Sequence, residues 1–151
     1  MPGINNLDSI LNAENLNKAI IELDEFICEC RLDELTEPQK HFYFNQQLEK
    51  AVNMDGFYLF FLNSTGEFAM EAIQSLTAIG AFHTRAILQK AIDQFPGGDV
   101  PKDEVKRQNL IQQIEDTASD IWNALDQDFY KYEDNLNQLN MSYVKKNSSF
   151  F

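Results

Sequence analysis

Val52-Asn-Met-Asp-Gly-Phe-Tyr-Leu-Phe-Phe-Leu-Asn-Ser-Thr-Gly66 carries the strongest fold signal in this chain. Positions 57 to 62 carry Phe57, Tyr58, Leu59, Phe60, Phe61 and Leu62 with no polar break. A segment that is apolar on every side must be covered on every side. Six residues cannot cross a bilayer, which takes about 20. The run therefore reads as a short central helix, or a tight helical turn, wrapped by other helices. A buried strand is the competing reading, because periodicity does not separate the two in so short a run. Gly56 opens the segment. Asn63-Ser-Thr-Gly66 closes it and supplies N-cap candidates for the next helix.

Amphipathic helices flank it on both sides. Residues 5 to 12 suit a short leading helix. Residues 14 to 34 suit a longer one, with Leu16, Ala19, Ile20, Leu23, Phe26, Ile27 and Cys30 on the 3.6-residue period and acids opposite. Thr36-Glu-Pro-Gln39 has the form of a capping box, with Thr36 as N-cap and Gln39 reaching back. Pro38 is tolerated in that first turn. The helix it opens is expected to run to about residue 53, burying Phe42, Phe44 or Tyr43, Leu48 and Val52. Ser64 or Thr65 is expected to cap a helix over 66–79 that buries Phe68, Ala69, Ala72, Ile73, Leu76 and Ile79. Gly80 suits the left-handed position that ends a helix. A helix over 82–95 would bury Ala86, Ile87, Ala91 and Ile92. Pro96-Gly-Gly-Asp-Val-Pro101 is the clear loop. The next helix is expected over 103–125, with Leu110, Ile111, Ile114, Ala118, Ile121, Trp122 and Leu125 inward. Asp126-Gln-Asp-Phe-Tyr130 reads as a turn, and 132–146 as the last helix, with Leu136, Leu139 and Tyr143 inward. No alternating strand pattern, fixed-period repeat or long linker interrupts this series. The expectation is all-α: a compact single-domain helical bundle of about six to seven helices around the short aromatic-rich central helix.

The 151 residues suit one domain over 1–151. Aspartate and glutamate number 24 against 12 lysine and arginine, giving a net charge of -12. A field of that sign repels nucleic acid and anionic membranes, so neither is expected as a direct partner. It attracts basic proteins, or simply confers solubility. Cys28 and Cys30, two apart on a helix, would point about 200° away from each other. They are read as reduced, inert thiols. The leading residues carry neither the basic nor the apolar region of a secretory signal, and nothing later suits a membrane span. A cytoplasmic protein is expected.

Several of these residues resemble a known family, the DNA-mimic protein of nineteen kilodaltons and its relatives, over roughly residues 36–151. They are Val52-Asn53, Gly56-Phe57 with Phe60-Phe61, Asn63-Ser64, Gly66, Glu71-Ala72, Leu76, Ile79-Gly80-Ala81, Ala91 and Phe95. Later come Leu125-Asp126, Phe129-Tyr130, Glu133-Asp134 and Tyr143-Val144. Where that family usually has Asn-Gly-Gly-Phe, this chain has Met54-Asp55-Gly56-Phe57, which keeps the helix-entry glycine. The resemblance implies an all-helical homodimer that presents carboxylates to a DNA-binding protein as DNA presents phosphates. Residues 1–35 would then be an acidic helical segment packed on the family-like core. The acids responsible for mimicry lie outside the matching motif, so none is carried over by position.

The residues themselves supply candidates. Glu22, Glu25, Glu29 and Asp33 are spaced three, four and four apart, which places them on one helix face. They would stand roughly 4.5 to 6 Å apart along the axis, against about 3.4 Å per nucleotide along a DNA strand. Asp24 and Glu34 flank the row. Residues 1–37 hold nine acids against Lys18 and Arg31, a net of 2 − 9 = -7, while residues 38–95 net 4 − 5 = -1. A solvated face of an acidic protein is the plainer reading, and a partner-binding surface is the sharper one. Glu115, Asp116, Asp120, Asp126, Asp128, Glu133 and Asp134 form a second acidic group that could extend it.

Catalysis needs a nucleophile, an acid–base pair or a metal. His41 and His83 are the histidines. Glu37 precedes His41 by four, so the two could share a helix face around a metal, but no recognised metal-ligand spacing supports this. His83 reads as a cap or surface residue. Pro96-Gly97-Gly98 lacks the elements of a phosphate loop. Asn53 and Asn63 are read as capping residues. The expectation is a non-enzymatic interaction protein without cofactor or metal, with Glu22, Glu25, Glu29 and Asp33 facing a basic DNA-binding protein such as a transcription factor. Two alternatives stand beside it. One is a scaffold or immunity-type protein whose acidity serves solubility. The other is a hydrolase with a pocket near His41 or His83.

Overall fold

A computed structural model describes residues 3–151. Met1 and Pro2, which belong to the leading segment read for a signal peptide and to the expected 1–35 unit, lie outside the described residues. Among these residues the chain forms seven α-helices and no strand. They are α1 (Leu7–Leu11), α2 (Leu16–Glu29), α3 (Glu37–Leu62), α4 (Ala69–Ile79), α5 (Phe82–Ile92), α6 (Glu104–Tyr130) and α7 (Leu136–Lys146). Short 3-10 turns cover Leu32–Glu34, Ser64–Phe68, Pro96–Gly98 and Ser148–Phe150.

The aromatic stretch is helical, but it is the second half of α3 rather than a separate element. The backbone breaks at Gly56 (φ 81°, ψ 177°) and restarts at once. A side chain there would collide with the Asp126 carboxylate, so both the conformation and the space require glycine. Asp126 accepts the Phe57 N–H at 2.8 Å and caps the restarted helix from α6. Phe57, Phe60 and Phe61 are buried, whereas Tyr58, Leu59 and Leu62 are partly covered. Phe61 packs on Phe95 and Trp122 at ring-centre distances of 5.0 and 5.3 Å. Trp122 donates its ring N–H to Ala91 O at 3.0 Å. The end of α3 is closed by Arg107, a buried guanidinium that donates to the carbonyls of Phe61, Pro101, Lys102 and Asn63. Four carbonyl dipoles stand in for the carboxylate that a buried cation usually needs.

The Thr36 capping box forms as expected: its hydroxyl accepts from Gln39 N–H, and Gln39 accepts from Thr36 N–H. Gly80 ends α4 in the left-handed region (φ 79°). Other boundaries move for tertiary reasons. The helix expected over 14–34 stops at Glu29, where an acidic last turn leaves the C-terminal dipole uncompensated. Residues 30–36 must also reverse the chain, bury Leu35 and deliver the Thr36 cap. Neither Ser64 nor Thr65 caps α4. Thr65 instead donates to Phe60 O at 2.7 Å, satisfying an orphan carbonyl of α3. Residues 126–130 are not a turn but the last turn of α6. Asp126 is tied to Phe57, Phe129 packs on Phe57, and Tyr130 donates to Val52 O at 2.9 Å. The chain beyond takes a left-handed step at Tyr132 (φ 48°), which delays α7 to Leu136. Ala86 and Ile121, expected inward, are exposed. Asn53 does not cap; it donates to the Tyr132 hydroxyl. Asn63, where α3 ends, makes no side-chain cap and offers its carbonyl to Arg107.

Two apolar cores share α3. The larger gathers the second half of α3 with α4, α5 and α6. The smaller gathers α1, α2, the first turns of α3, the end of α7 and Phe151. Between Phe42 of the smaller core and Leu48 of the larger, Asn45 donates to Ser75 O at 3.0 Å and to Asn140 Oδ1 at 3.3 Å.

Candidate functional site

The outer face of α2 is fixed by its inner one. Asn15 caps the helix by accepting Lys18 N–H at 3.1 Å. Ala19, Ile20, Leu23 and Ile27 then turn inward onto α3 and α7. Glu22, Glu25 and Glu29 are thereby brought together on the outer side, around a shallow depression of about 340 Å³ that also touches Ile4, Ile10 and Phe26. Successive carboxylates stand roughly 4.5 and 6 Å apart along the axis. These three form no ion pair among the described residues.

Asp33 does not extend the row. It lies in the separate Leu32–Glu34 turn and pairs with Arg31 at 2.7 Å. Asp24 is turned toward α3, where its 18% exposed carboxylate pairs with Lys50 at 2.8 Å. Glu34 accepts the Arg31 N–H. Helical spacing placed all of these near one another, but the end of α2 at Glu29 and the reach of Lys50 divide them.

Most of the second acidic group is bound to the protein's own donors. Asp126 caps the α3 restart, and its burial pushes the carboxyl above the usual range while the Phe57 N–H pulls the other way. Asp134 accepts from both the N–H and the hydroxyl of Thr84 in the first turn of α5. Glu115 accepts from the Tyr58 hydroxyl, Asp128 pairs with Lys131, and Glu133 pairs with His83 at 2.9 Å. Asp116 and Asp120 are exposed on α6. Glu49, outside both groups, is buried enough to raise its carboxyl and accepts from the Tyr132 hydroxyl at 2.9 Å. Burial pushes the Tyr132 phenol up to about 12.

The histidines part company. His83 is exposed on α5. His41 is half-buried beside Ser75, its Nδ1 2.9 Å from the hydroxyl, and burial lowers its pKa while Glu37 works against that. His41 and Ser75 line a cavity of about 690 Å³ between α3, α4 and the Leu32–Glu34 turn. The spacing of Glu71 and Ser75 on α4 was readable in the sequence. Their meeting with His41 across two helices was not. A Ser–His pair is a nucleophile beside a base, and among the described residues no hydrogen bond holds the ring through Nε2. No group of three or more potential metal ligands is present among the described residues. Cys28 and Cys30 are free, and burial is the main cause raising both thiols. No helix among the described residues is long and apolar enough to cross a membrane.

A family model described as DMP19-like protein matches residues 33–147. No curated protein and no solved structure matches the chain.

Proposed function

The chain belongs to the DMP19-like protein family, and on that basis we propose that it is a non-enzymatic interaction module of the DNA-mimic type. In this reading the outer face of α2 takes the place of a DNA backbone against a basic DNA-binding protein, such as a transcription factor. The observation that carries the proposal is the division of the acids. Glu22, Glu25 and Glu29 stand together with no ion pair among the described residues, while most of the second group is bound to the protein's own donors. Carboxylates left unneutralised at close spacing are available to a partner's lysines and arginines. Asp33 joins the surface by exchanging Arg31 for a cation of the partner. On the same reading the protein is a homodimer that meets its partner in the cytoplasm.

Association of this sort is electrostatically steered and weakens as salt shortens the Debye length, about 8 Å at 0.15 M. The test is capture from the native cell's lysate at low salt, with elution first by a salt gradient and separately by duplex DNA. A DNA-binding protein released by both supports mimicry. A partner indifferent to duplex DNA points to an ordinary interaction module, and no partner at all favours acidity for solubility.

A further inference from the structure

We propose that the outer face of α5 docks on the α2 face of a second copy of this chain, head to tail. In a chain of net charge -12, α5 is the exception. From Phe82 to Ile92 it carries Arg85 and Lys90 and no acid. Neither cation forms an ion pair among the described residues. His83, at the edge of this face, is held by Glu133, and Asp93 beyond the helix end accepts from Gln89. Phe82 is 62% exposed in the first turn, and an aromatic ring is among the largest apolar surfaces a contact can bury. Phe82, Arg85, Ala86 and Gln89 share one side of the helix around a recess of about 170 Å³.

The α2 face complements α5 in charge and in shape. Glu22, Glu25 and Glu29 border the depression of about 340 Å³ that reaches Ile4, Ile10 and Phe26. An apolar floor beside a row of carboxylates suits an aromatic side chain with a cation next to it. Phe82 and Arg85, neighbours one turn apart, have that form. Arg85 and Lys90 stand about 7.5 Å apart along their axis and the three glutamates span about 10.5 Å, so both cations can engage the row. The fit also runs the other way. Ile21, 56% exposed one turn before Glu25, is an aliphatic knob for the recess on α5. Helix α2 rests on α1, α3 and α7, whereas α5 rests on α4 and α6. The two faces thus lie on different flanks, and a contact between unlike patches extends into rows or rings instead of closing a two-fold pair. This contact rests on the α2 carboxylates being unpaired, and not on their standing in for DNA. Self-association and capture of a basic partner therefore compete for the same face.

The test is sedimentation of the full chain across concentration, at low and at high salt. The average mass is expected to climb past that of a dimer as concentration rises, and to fall back in high salt. Phe82→Ser and Arg85→Glu should each weaken the association at least about tenfold, with helical circular dichroism intact. The decisive arm mixes two variants, Arg85→Glu and the combined Glu22→Lys, Glu25→Lys and Glu29→Lys. Each alone sets like charges face to face and should form no rows. Their equimolar mixture restores opposite charges at both contacts and should recover assemblies larger than either. The proposal is overturned by a mass independent of concentration, by association that Phe82→Ser leaves unchanged, or by a mixture no larger than its components. Phe82→Ser leaves α2 untouched, so it should lose self-association and keep capture of a basic partner. Loss of capture as well would tie Phe82 to the fold and overturn the assignment. Rows formed by a wild-type chain that captures no partner would sink the function proposed above and leave this contact standing.

Discussion

Glu22, Glu25 and Glu29 of α2 and most acids of the α6–α7 region are alike in sequence and opposite in structure. Around α6, Asp126, Glu115 and Asp134 spend their oxygens on Phe57, Tyr58 and Thr84 of neighbouring helices. On α2, Glu22, Glu25 and Glu29 contribute to no such bond among the described residues, and the helix is held by its apolar inner face instead. Charge density alone therefore does not mark a recognition surface. What marks it is charge that the fold has left unspent.

The largest test of this contrast lies in the core that the α6 acids serve. Phe61→Ala removes a buried ring packed on Phe95 and Trp122 and should cost about 3 to 5 kcal/mol. A denaturation midpoint close to that of wild type would show that the core around α6 is not the stabilising one. Asp126→Ala comes next. It orphans the Phe57 N–H at the Gly56 break and should cost about 1 to 3 kcal/mol in urea unfolding. A neutral result would put Asp126 with the unspent acids and erase the contrast at its clearest point.

A smaller effect concerns pH. Glu49 and Asp126 both have carboxyls raised chiefly by burial. A raised folded-state pKa favours the protonated form, so the stability it contributes is fully present below the unfolded value, about 4, and is lost as pH rises through the folded value. Stability should therefore gain from these two groups as pH falls from neutrality into the carboxylate range. Glu49→Gln should flatten that part of the curve. An identical slope in the variant would show that Glu49 ionises as freely in the fold as out of it. The smallest stability effect belongs to α2. The combined change Glu22→Lys, Glu25→Lys and Glu29→Lys should shift unfolding by only about 0.5 kcal/mol, with helical circular dichroism intact, yet abolish capture of a basic partner. Capture that survives the reversal would remove α2 as the recognition face. Large unfolding would show that these acids are spent after all.

Much of the fold was legible because its signals are local. The Thr36 box, the Gly80 stop and the inward stripe of α2 all depend on residues a few positions from each other. The candidate row on α2 was legible in part. Spacing alone placed Glu22, Glu25 and Glu29 on one face, but it carried the helix through to Asp33, and nothing near Cys30 in the sequence announced the reversal into α3. The turn read at residues 126–130 failed for a related reason. Asp and Gln suit a turn, but Phe129 and Tyr130 find partners at Phe57 and Val52, and packing overrode local preference.

An all-helical chain, the aromatic segment at its centre, a strong acidic excess and membership of the family were all written in the order of residues. Only packing settled which acids are free, how α3 continues through its break, why Arg107 is buried, and that His41, Ser75 and Glu71 share a cavity. The difference is one of range. Periodicity and capping act between residues a few positions apart, whereas the pairing of Asp24 with Lys50 or Phe57 with Asp126 exists only once helices distant in sequence have packed side by side.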